Sequence, residues 1–189
     1  MKILGIQTSP NLDGLTATMA KAALEGAGAA GAKTELIALK QLRIEACRQC
    51  NEGWGICRSE GNCVIQDDFD QVRAKIKAAD GVVVSTPTYF GDVSEVTKSF
   101  FDRLRRTEMG AEESNTEGTW ALSIAAPGGG GGGGPTTLIA LGNYFGICRM
   151  PIFDAMIVTQ RSRQYMLEAA RKAGKAMVDH IQKEKAKSG

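Results

Sequence analysis

The sequence predicts a three-layer α/β domain built on one five-stranded parallel sheet, and three observations carry that expectation. Apolar runs rich in branched residues alternate about five times with stretches of helical period, as strands joined by crossover helices do. One run, Gly81-Val82-Val83-Val84-Ser85, lacks polar alternation, so both faces of that strand must be covered. The length, 189 residues, suits a single domain spanning 1–189 and is too short for two. Hydrophobic residues at 43% and charged residues at 23% exclude a disordered or membrane-embedded chain.

The elements follow in order. Lys2 to Gln7 reads as the first strand, and Thr16 to Ala30 as an Ala-rich helix ended by Gly28 and Gly31. Lys33 to Leu39 is the second strand. Asp67 and Asp68 open a helix to about Ala79, with Phe69, Val72 and Ile76 on its apolar face and the carboxylates at the positive end of its dipole. After the valine strand, Ser94 to Arg106 carries Val96, Phe100 and Leu104 inward, with Asp102, Arg103, Arg105 and Arg106 around that stripe. Trp120 to Ala126 is the fourth strand, Thr136 to Tyr144 a helix opened by Pro135, and Ile152 to Val158 the fifth strand. Arg161 to about Lys183 closes the domain, with Met166, Ala170, Ala173 and Met177 inward and a solvated basic tail beyond. This order suits a flavodoxin-like doubly wound sheet, strand order 2-1-3-4-5, whose ligands bind beyond the carboxyl ends of the strands.

Charge and composition narrow the function. Lys plus Arg exceed Asp plus Glu by only two, which gives no electrostatic case for nucleic acid. No apolar run reaches the roughly 18 residues of a membrane span, and the first strand turns polar at Gln7-Thr8-Ser9, so no membrane partner and a cytoplasmic location are expected. Four of the five cysteines, Cys47, Cys50, Cys57 and Cys63, fall in one loop at 45–66. In a reducing compartment that clustering points to a metal or redox site rather than to disulfides.

The segments after strands one to four hold the unusual chemistry. Thr8 to Thr16 supplies hydroxyls, a glycine and helix N-terminal amides suited to a phosphate; the ordinary alternative is a capped strand-to-helix turn. Thr86-Pro87-Thr88-Tyr89-Phe90-Gly91 sets two aromatics beside hydroxyls, a wall for a planar heteroaromatic ligand. The Gly-rich loop at 127–135 contains seven consecutive glycines and matches a dinucleotide fingerprint trivially, after the wrong strand. It reads either as a connector or as backbone that approaches a ligand with no Cβ in the way. Cys47-x2-Cys50-x6-Cys57-x5-Cys63 is open between a [4Fe-4S] cluster, a zinc ion and plain thiols. Cys148 reads as a small buried hydrophobe, the single histidine, His180, as solvated, and Asp102-Arg103 as a structural pair.

Taken together, Ser9-Pro10-x3-Gly14-x-Thr16, the cysteine segment ending in Cys63-Val64-Ile65-Gln66-Asp67-Asp68, the Thr86 to Gly91 turn and Lys98-x3-Asp102-Arg103 resemble the NADPH-dependent FMN reductase family, in particular its branch of iron–sulfur flavoproteins. The resemblance implies a flavodoxin-like fold, non-covalent FMN, two-electron chemistry with NAD(P)H, and a homodimer or homotetramer. It implies that Ser9, Asn11, Gly14, Leu15 and Thr16 hold the FMN phosphate and that Pro87, Thr88, Tyr89, Phe90 and Gly91 line the isoalloxazine. Pro127, Gly128, Gly129 and Gly130 would approach the polar edge of the flavin. Relatives often have basic residues where Asn11 and Leu12 stand, and Asp13 adds a negative charge beside the dianion. Relatives with a cluster usually space the second and third cysteines more tightly. No side chain is assigned a catalytic role, because hydride transfer to a flavin needs no protein acid or base.

The expected function is therefore an FMN-dependent NAD(P)H oxidoreductase that passes electrons to a quinone, flavin, nitro compound or protein. Its rivals are an iron–sulfur flavoprotein in electron transfer, with a [4Fe-4S] cluster on the four cysteines, and a non-enzymatic flavodoxin-like carrier. Small flavodoxins are generally acidic, and a net charge of +2 speaks against the carrier.

Overall fold

A computed structural model describes residues 1–111 and 116–188. Its elements are β1 (Lys2–Gln7), α1 (Leu15–Ala29), β2 (Lys33–Ala38), α2 (Ile56–Ser59), α3 (Phe69–Lys77), β3 (Gly81–Pro87), α4 (Glu95–Gly110), β4 (Trp120–Ala126), α5 (Gly134–Ile147), β5 (Ile152–Ile157) and α6 (Arg163–Ser188). The five strands form one parallel sheet in the order β2-β1-β3-β4-β5, as the sequence predicts. All seven residues of β3 are buried, which is why its valines run without a polar interruption.

The two faces of the sheet have separate cores. One packs Phe69, Val72 and Ile76 of α3, Phe100, Phe101 and Leu104 of α4, and Leu141 and Phe145 of α5 against Leu4, Ile6, Val82 and Val84. The other packs α1 and α6 against Ile3, Val83, Leu122 and Ile124. Those two helices touch through glycine: a Cβ on Gly26 would stand 1.9 Å from the Arg171 carbonyl oxygen, and one on Gly174 would stand 1.9 Å from that of Ala23.

The structure corrects several sequence expectations. The basic tail beyond Lys183 is solvated as expected, but it is helical: α6 continues to Ser188, with Lys187 paired to Glu184 at 2.7 Å and Lys185 reaching Asp80 just ahead of β3. Helix α4 runs four residues past Arg106, because Thr107 and Glu108 are buried and Gly110 admits the Cys57 carbonyl against the helix. The cysteine loop contains a 3₁₀ turn at Asn51–Gly53 and the short α2, neither of which its sequence signals. His180 is half-buried, edge-on to Trp120 with centroids 4.3 Å apart and beside Phe153 at 5.6 Å, rather than solvated. No helix among the described residues is long and apolar enough to cross a membrane.

Candidate functional site

Order 2-1-3-4-5 places a topological switch between β1 and β3, and three loops converge beyond their carboxyl ends. After β1 the chain makes a ladder of local bonds. The Ser9 amide donates to Gln7 Oε1 (2.9 Å), the Asn11 amide to Ser9 Oγ (3.1 Å) and the Asp13 amide to Asn11 Oδ1 (3.0 Å). Helix α1 then starts at Leu15 behind Gly14 with no side-chain cap and no acidic residue in its first turn. Its first amides are thus left to a ligand or to solvent, the arrangement that suits a phosphate. Asp13 does not oppose this, since its side chain is 95% exposed and faces Lys21 at 3.8 Å. Gln7, buried at the end of β1, keeps an Nε2 without a partner among the described residues.

After β3, Tyr89 and Asp92 exchange both backbone hydrogen bonds (2.9 and 3.0 Å), closing a two-residue turn with Phe90 at φ +52° and Gly91 at φ +82°. Positive φ at both central positions defines a type I′ turn, in which glycine is at home and phenylalanine is not. Phe90 is fully exposed at its tip. The Gly-rich loop after β4 meets this turn backbone to backbone. A Cβ on Gly133 would stand 2.6 Å from Gly91 Cα, while Gly128, Gly129, Gly130 and Gly132 have nothing within 4 Å of theirs. The Thr136 hydroxyl donates to the Gly91 carbonyl, and the Thr137 hydroxyl to Thr88 Oγ1 at 3.0 Å, so α5 holds the two loops together.

Beneath these loops lies a buried hydroxyl network that sequence reasoning missed. Ser94 Oγ donates to Thr8 Oγ1 (3.2 Å) and shares a hydrogen bond with Thr97 Oγ1 (2.8 Å), which shares another with Thr86 Oγ1 (3.1 Å). The network ties the ends of β1 and β3 to the start of α4 and so fixes the two loops relative to each other. Its only sequence signal is the clustering of Ser and Thr at both strand ends and at the helix start.

The cysteine loop builds a second feature. Cys47, Cys50, Cys57 and Cys63 are all half-buried free thiols and all line one cavity, together with Arg103 and Arg106. Gln49, Asn51 and Glu52 take left-handed φ of 50°, 48° and 59° to fold the loop around it. Among the described residues no three Cys, His, Asp or Glu side chains stand close enough to share one metal ion. A tetrahedral zinc needs donors converging at about 2.0–2.3 Å on one point, whereas a [4Fe-4S] cluster takes one thiolate at each of four irons.

Arg103 is not the partner of Asp102. It is 1% exposed and forms a two-pronged pair with Asp67, whose side chain is 0% exposed, at 2.7 and 2.9 Å. Its terminal nitrogens also donate to the carbonyls of Glu45 (3.1 Å) and Ile65 (3.3 Å). Burial works against that guanidinium, but Asp67 and the adjacent Cys63 more than offset it and hold it charged. Asp102 instead meets Lys98 (3.2 Å), Arg105 (3.2 Å) and the Tyr144 hydroxyl, which donates to it at 3.1 Å. Cys148 is buried as expected, and desolvation pushes its thiol up to about 12.

The sequence profile of NADPH-dependent FMN reductases matches residues 1–164. The chain belongs to the NADPH-dependent FMN reductase family. An iron-sulfur flavoprotein of Methanocaldococcus jannaschii is 35% identical over 150 residues, which cover 79% of this chain and 74% of that one. An iron-sulfur flavoprotein of Methanosarcina thermophila is 38% identical over 109 residues, 56% of this chain and 55% of the relative, so the match there spans only about half of each. Among solved structures, an NAD(P)H:quinone oxidoreductase from Methanothermobacter marburgensis matches with a TM-score of 0.71 at 19% identity, covering 94% and 96% of the two chains. That likeness is one of fold.

The cofactor of the FMN reductase family can be tested against these residues. An uncapped helix start, an orphaned buried Gln7 Nε2 and an open run of glycine backbone are what a phosphate and a polar ring edge require. At the cysteine loop four thiols and three arginines, Arg48, Arg103 and Arg106, line one cavity, but among the described residues the thiols do not converge on a common point.

Proposed function

We propose that this member of the FMN reductase family is an FMN-dependent oxidoreductase that oxidises NAD(P)H and reduces a quinone, a free flavin, a nitro compound or a protein. The observation that supports it most is the convergence of the uncapped start of α1 with the backbone-to-backbone contact of Gly91 and Gly133 on one edge of the sheet. FMN, when bound, supplies two-electron chemistry with the nicotinamide and the acceptor. The amides of Leu15 and Thr16 and the hydroxyls of Ser9 and Thr16 would hold its phosphate, with Asn11 and Gly14 shaping the turn. Pro87, Thr88, Tyr89, Phe90 and Gly91 would wall the ring system. Pro127, Gly128, Gly129 and Gly130 would bring main-chain groups to its polar edge. Free thiols on the cysteine loop fit a reducing, cytoplasmic compartment. Exposed Ile139, Ile147 and Ile152 beside the β5 edge offer the apolar surface of a homodimer or homotetramer.

Two measurements test this reading. Purified protein should oxidise NADH or NADPH in the steady state when given a quinone or free flavin. It should also bind FMN at least tenfold more tightly than riboflavin, since each charge-assisted donor to the phosphate contributes about 1.5–3 kcal/mol. Equal affinity for the two flavins would sink the phosphate placement; flavin binding without any NAD(P)H oxidation would sink the reductase.

A second reading has its own support. Relatives named as iron-sulfur flavoproteins and four thiols around one cavity favour a [4Fe-4S] cluster on Cys47, Cys50, Cys57 and Cys63, in an electron-transfer protein for which pyridine nucleotide is irrelevant. Protein prepared without oxygen should then carry about four iron and four sulfide per chain. Iron-free protein with brisk NAD(P)H oxidation leaves the plain reductase, and one zinc per chain makes the loop a structural clip.

A further inference from the structure

The buried hydroxyls beneath the candidate flavin edge centre on one residue. Ser94 is the N-cap of α4, with backbone at φ −66° and ψ 158°, yet its side chain makes no capping bond to the helix. An N-cap serine ordinarily accepts a hydrogen bond from an amide of the first turn. Here the hydroxyl turns the other way: it donates to Thr8 Oγ1 (3.2 Å) at the end of β1 and pairs with Thr97 Oγ1 (2.8 Å) on α4. The Ser94 amide donates to Thr86 Oγ1 (3.3 Å), and Thr86 and Thr97 share a bond of 3.1 Å. Ser94 is thus the residue in which the Thr8 branch and the Thr86 branch meet.

Thr8, Thr86 and Thr97 are 0% exposed and Ser94 is 1% exposed, so a ligand resting on the loops above touches none of them. Apolar side chains of the same shape would fill this space at little cost. What hydroxyls add is direction, because a satisfied buried network makes rigid the groups that it joins. Thr8 precedes Ser9, where the candidate phosphate turn begins, and Thr86 precedes Pro87, where the candidate ring turn begins. FMN would engage both turns at once. A two-ended ligand gains over its separate parts only when the spacing of the two sites matches its own length.

We propose that Ser94, seconded by Thr97, is a positioning residue for FMN: it sets the spacing between the phosphate turn and the ring turn, and so acts on the joined ligand rather than on either end of it. The proposal rests on the FMN reading above. It assigns to α4, which supplies no wall of the site, the control of how its two halves are aligned.

The test uses the full chain freed of flavin, in wild-type form and as Ser94→Ala, Thr97→Val and Thr97→Ser. Dissociation constants for FMN and riboflavin come from flavin fluorescence, and that for inorganic phosphate from its competition with FMN. A thermal melt checks the fold. Ser94→Ala leaves Thr8 Oγ1 the Ser85 carbonyl at 3.5 Å and leaves Thr97 its bond to Thr86, and it removes no helix cap. Ser94→Ala and Thr97→Val should each weaken FMN binding about fivefold, the effect of one buried hydrogen bond, while riboflavin and phosphate stay within about twofold of wild type. Thr97→Ser retains the hydroxyl and should keep the wild-type FMN constant. Equal affinity of the wild type for FMN and riboflavin overturns the phosphate placement and this proposal with it. A wild type that prefers FMN, with the same preference in Ser94→Ala and Thr97→Val, overturns the proposal alone. So does a phosphate constant that weakens in step with that for FMN, which would make the effect one of contact rather than of spacing. If Ser94→Ala does not fold, the two Thr97 variants decide.

Discussion

Replacing Gly133 with alanine tests the contact between the two ring-side loops. The residue sits at φ +78°, and its new Cβ would lie 2.6 Å from Gly91 Cα, 3.0 Å from Thr88 Cγ2 and 3.1 Å from the Gly91 nitrogen. The left-handed conformation costs an alanine roughly 1–2 kcal/mol. Carbon atoms rest about 3.5–4.0 Å apart, so the loops must also separate by on the order of 1 Å, and main-chain atoms cannot rotate away. A total loss of about 2–3 kcal/mol follows, or roughly 30- to 150-fold. If the loops hold their places, the loss appears in the stability of the apoprotein; if they part, it appears in FMN affinity. Gly132→Ala is the control, because its Cβ would meet nothing within 4 Å and its φ is not positive, and it should change stability by no more than about 0.5 kcal/mol. Urea melts of the apoprotein and fluorescence titrations with FMN read both channels. A Gly133→Ala protein that matches Gly132→Ala in both would refute the reasoning.

Further predictions follow from single residues. Burial pushes the Asp102 carboxyl up, but hydrogen bonds from Lys98, Arg105 and Tyr144 outweigh it and hold it below the ordinary carboxylate range. A lowered folded value means that its contribution is present above about pH 4 and is lost as acid takes the pH through the folded pKa. Asp102→Asn should accordingly flatten the acid limb of a plot of urea midpoint against pH; an unchanged limb would deny the carboxylate that role. Phe90→Asn should stabilise the apoprotein by up to about 1 kcal/mol by suiting the left-handed turn, while weakening flavin fluorescence quenching; loss of stability would contradict the turn geometry. Iodoacetamide near pH 8 should modify four of the five cysteines in the native metal-free protein and leave Cys148 untouched until urea unfolds it, because that thiol is buried and titrates at about 12. Rapid native labelling at Cys148 would contradict its burial.

The sheet order was legible because parallel strands advertise themselves: Val82 to Val84 run unbroken, and each neighbouring strand is followed by a helix with a clear apolar face. The candidate site loops were legible for the same reason, since strand ends fix where they lie. Long-range polar pairing was not. Arg103 shares a helix with Asp102, and helical period alone puts both outside the Phe100 and Leu104 stripe. Its actual partner, Asp67, is separated from it by 36 residues of sequence and the whole of β3. Asp67 was expected at the positive end of a helix dipole and does accept the Phe69 amide at 3.1 Å, yet its other work lies across the loop. His180 misleads similarly, because the charged neighbours on its own helix say nothing of the Trp120 and Phe153 rings opposite it. The end of α6 was missed because its basic residues find acids at helical spacing or at the start of the central strand.

The ion pair between Asp67 and Arg103 also bears on the order in which the molecule is assembled. Both side chains are essentially closed to solvent, and between them they fasten residues on either side of the cysteine loop to a helix that is part of the sheet's own core. The loop is therefore organised by the polypeptide as the domain forms. In classical zinc fingers the reverse holds: the metal is the scaffold, and its removal unfolds the chain. Here a metal guest would arrive at a chamber already standing. If the chamber takes the metal of the second reading, starvation for that metal should empty it and leave the candidate flavin edge of the same sheet intact, so the two sites would be filled, and lost, independently.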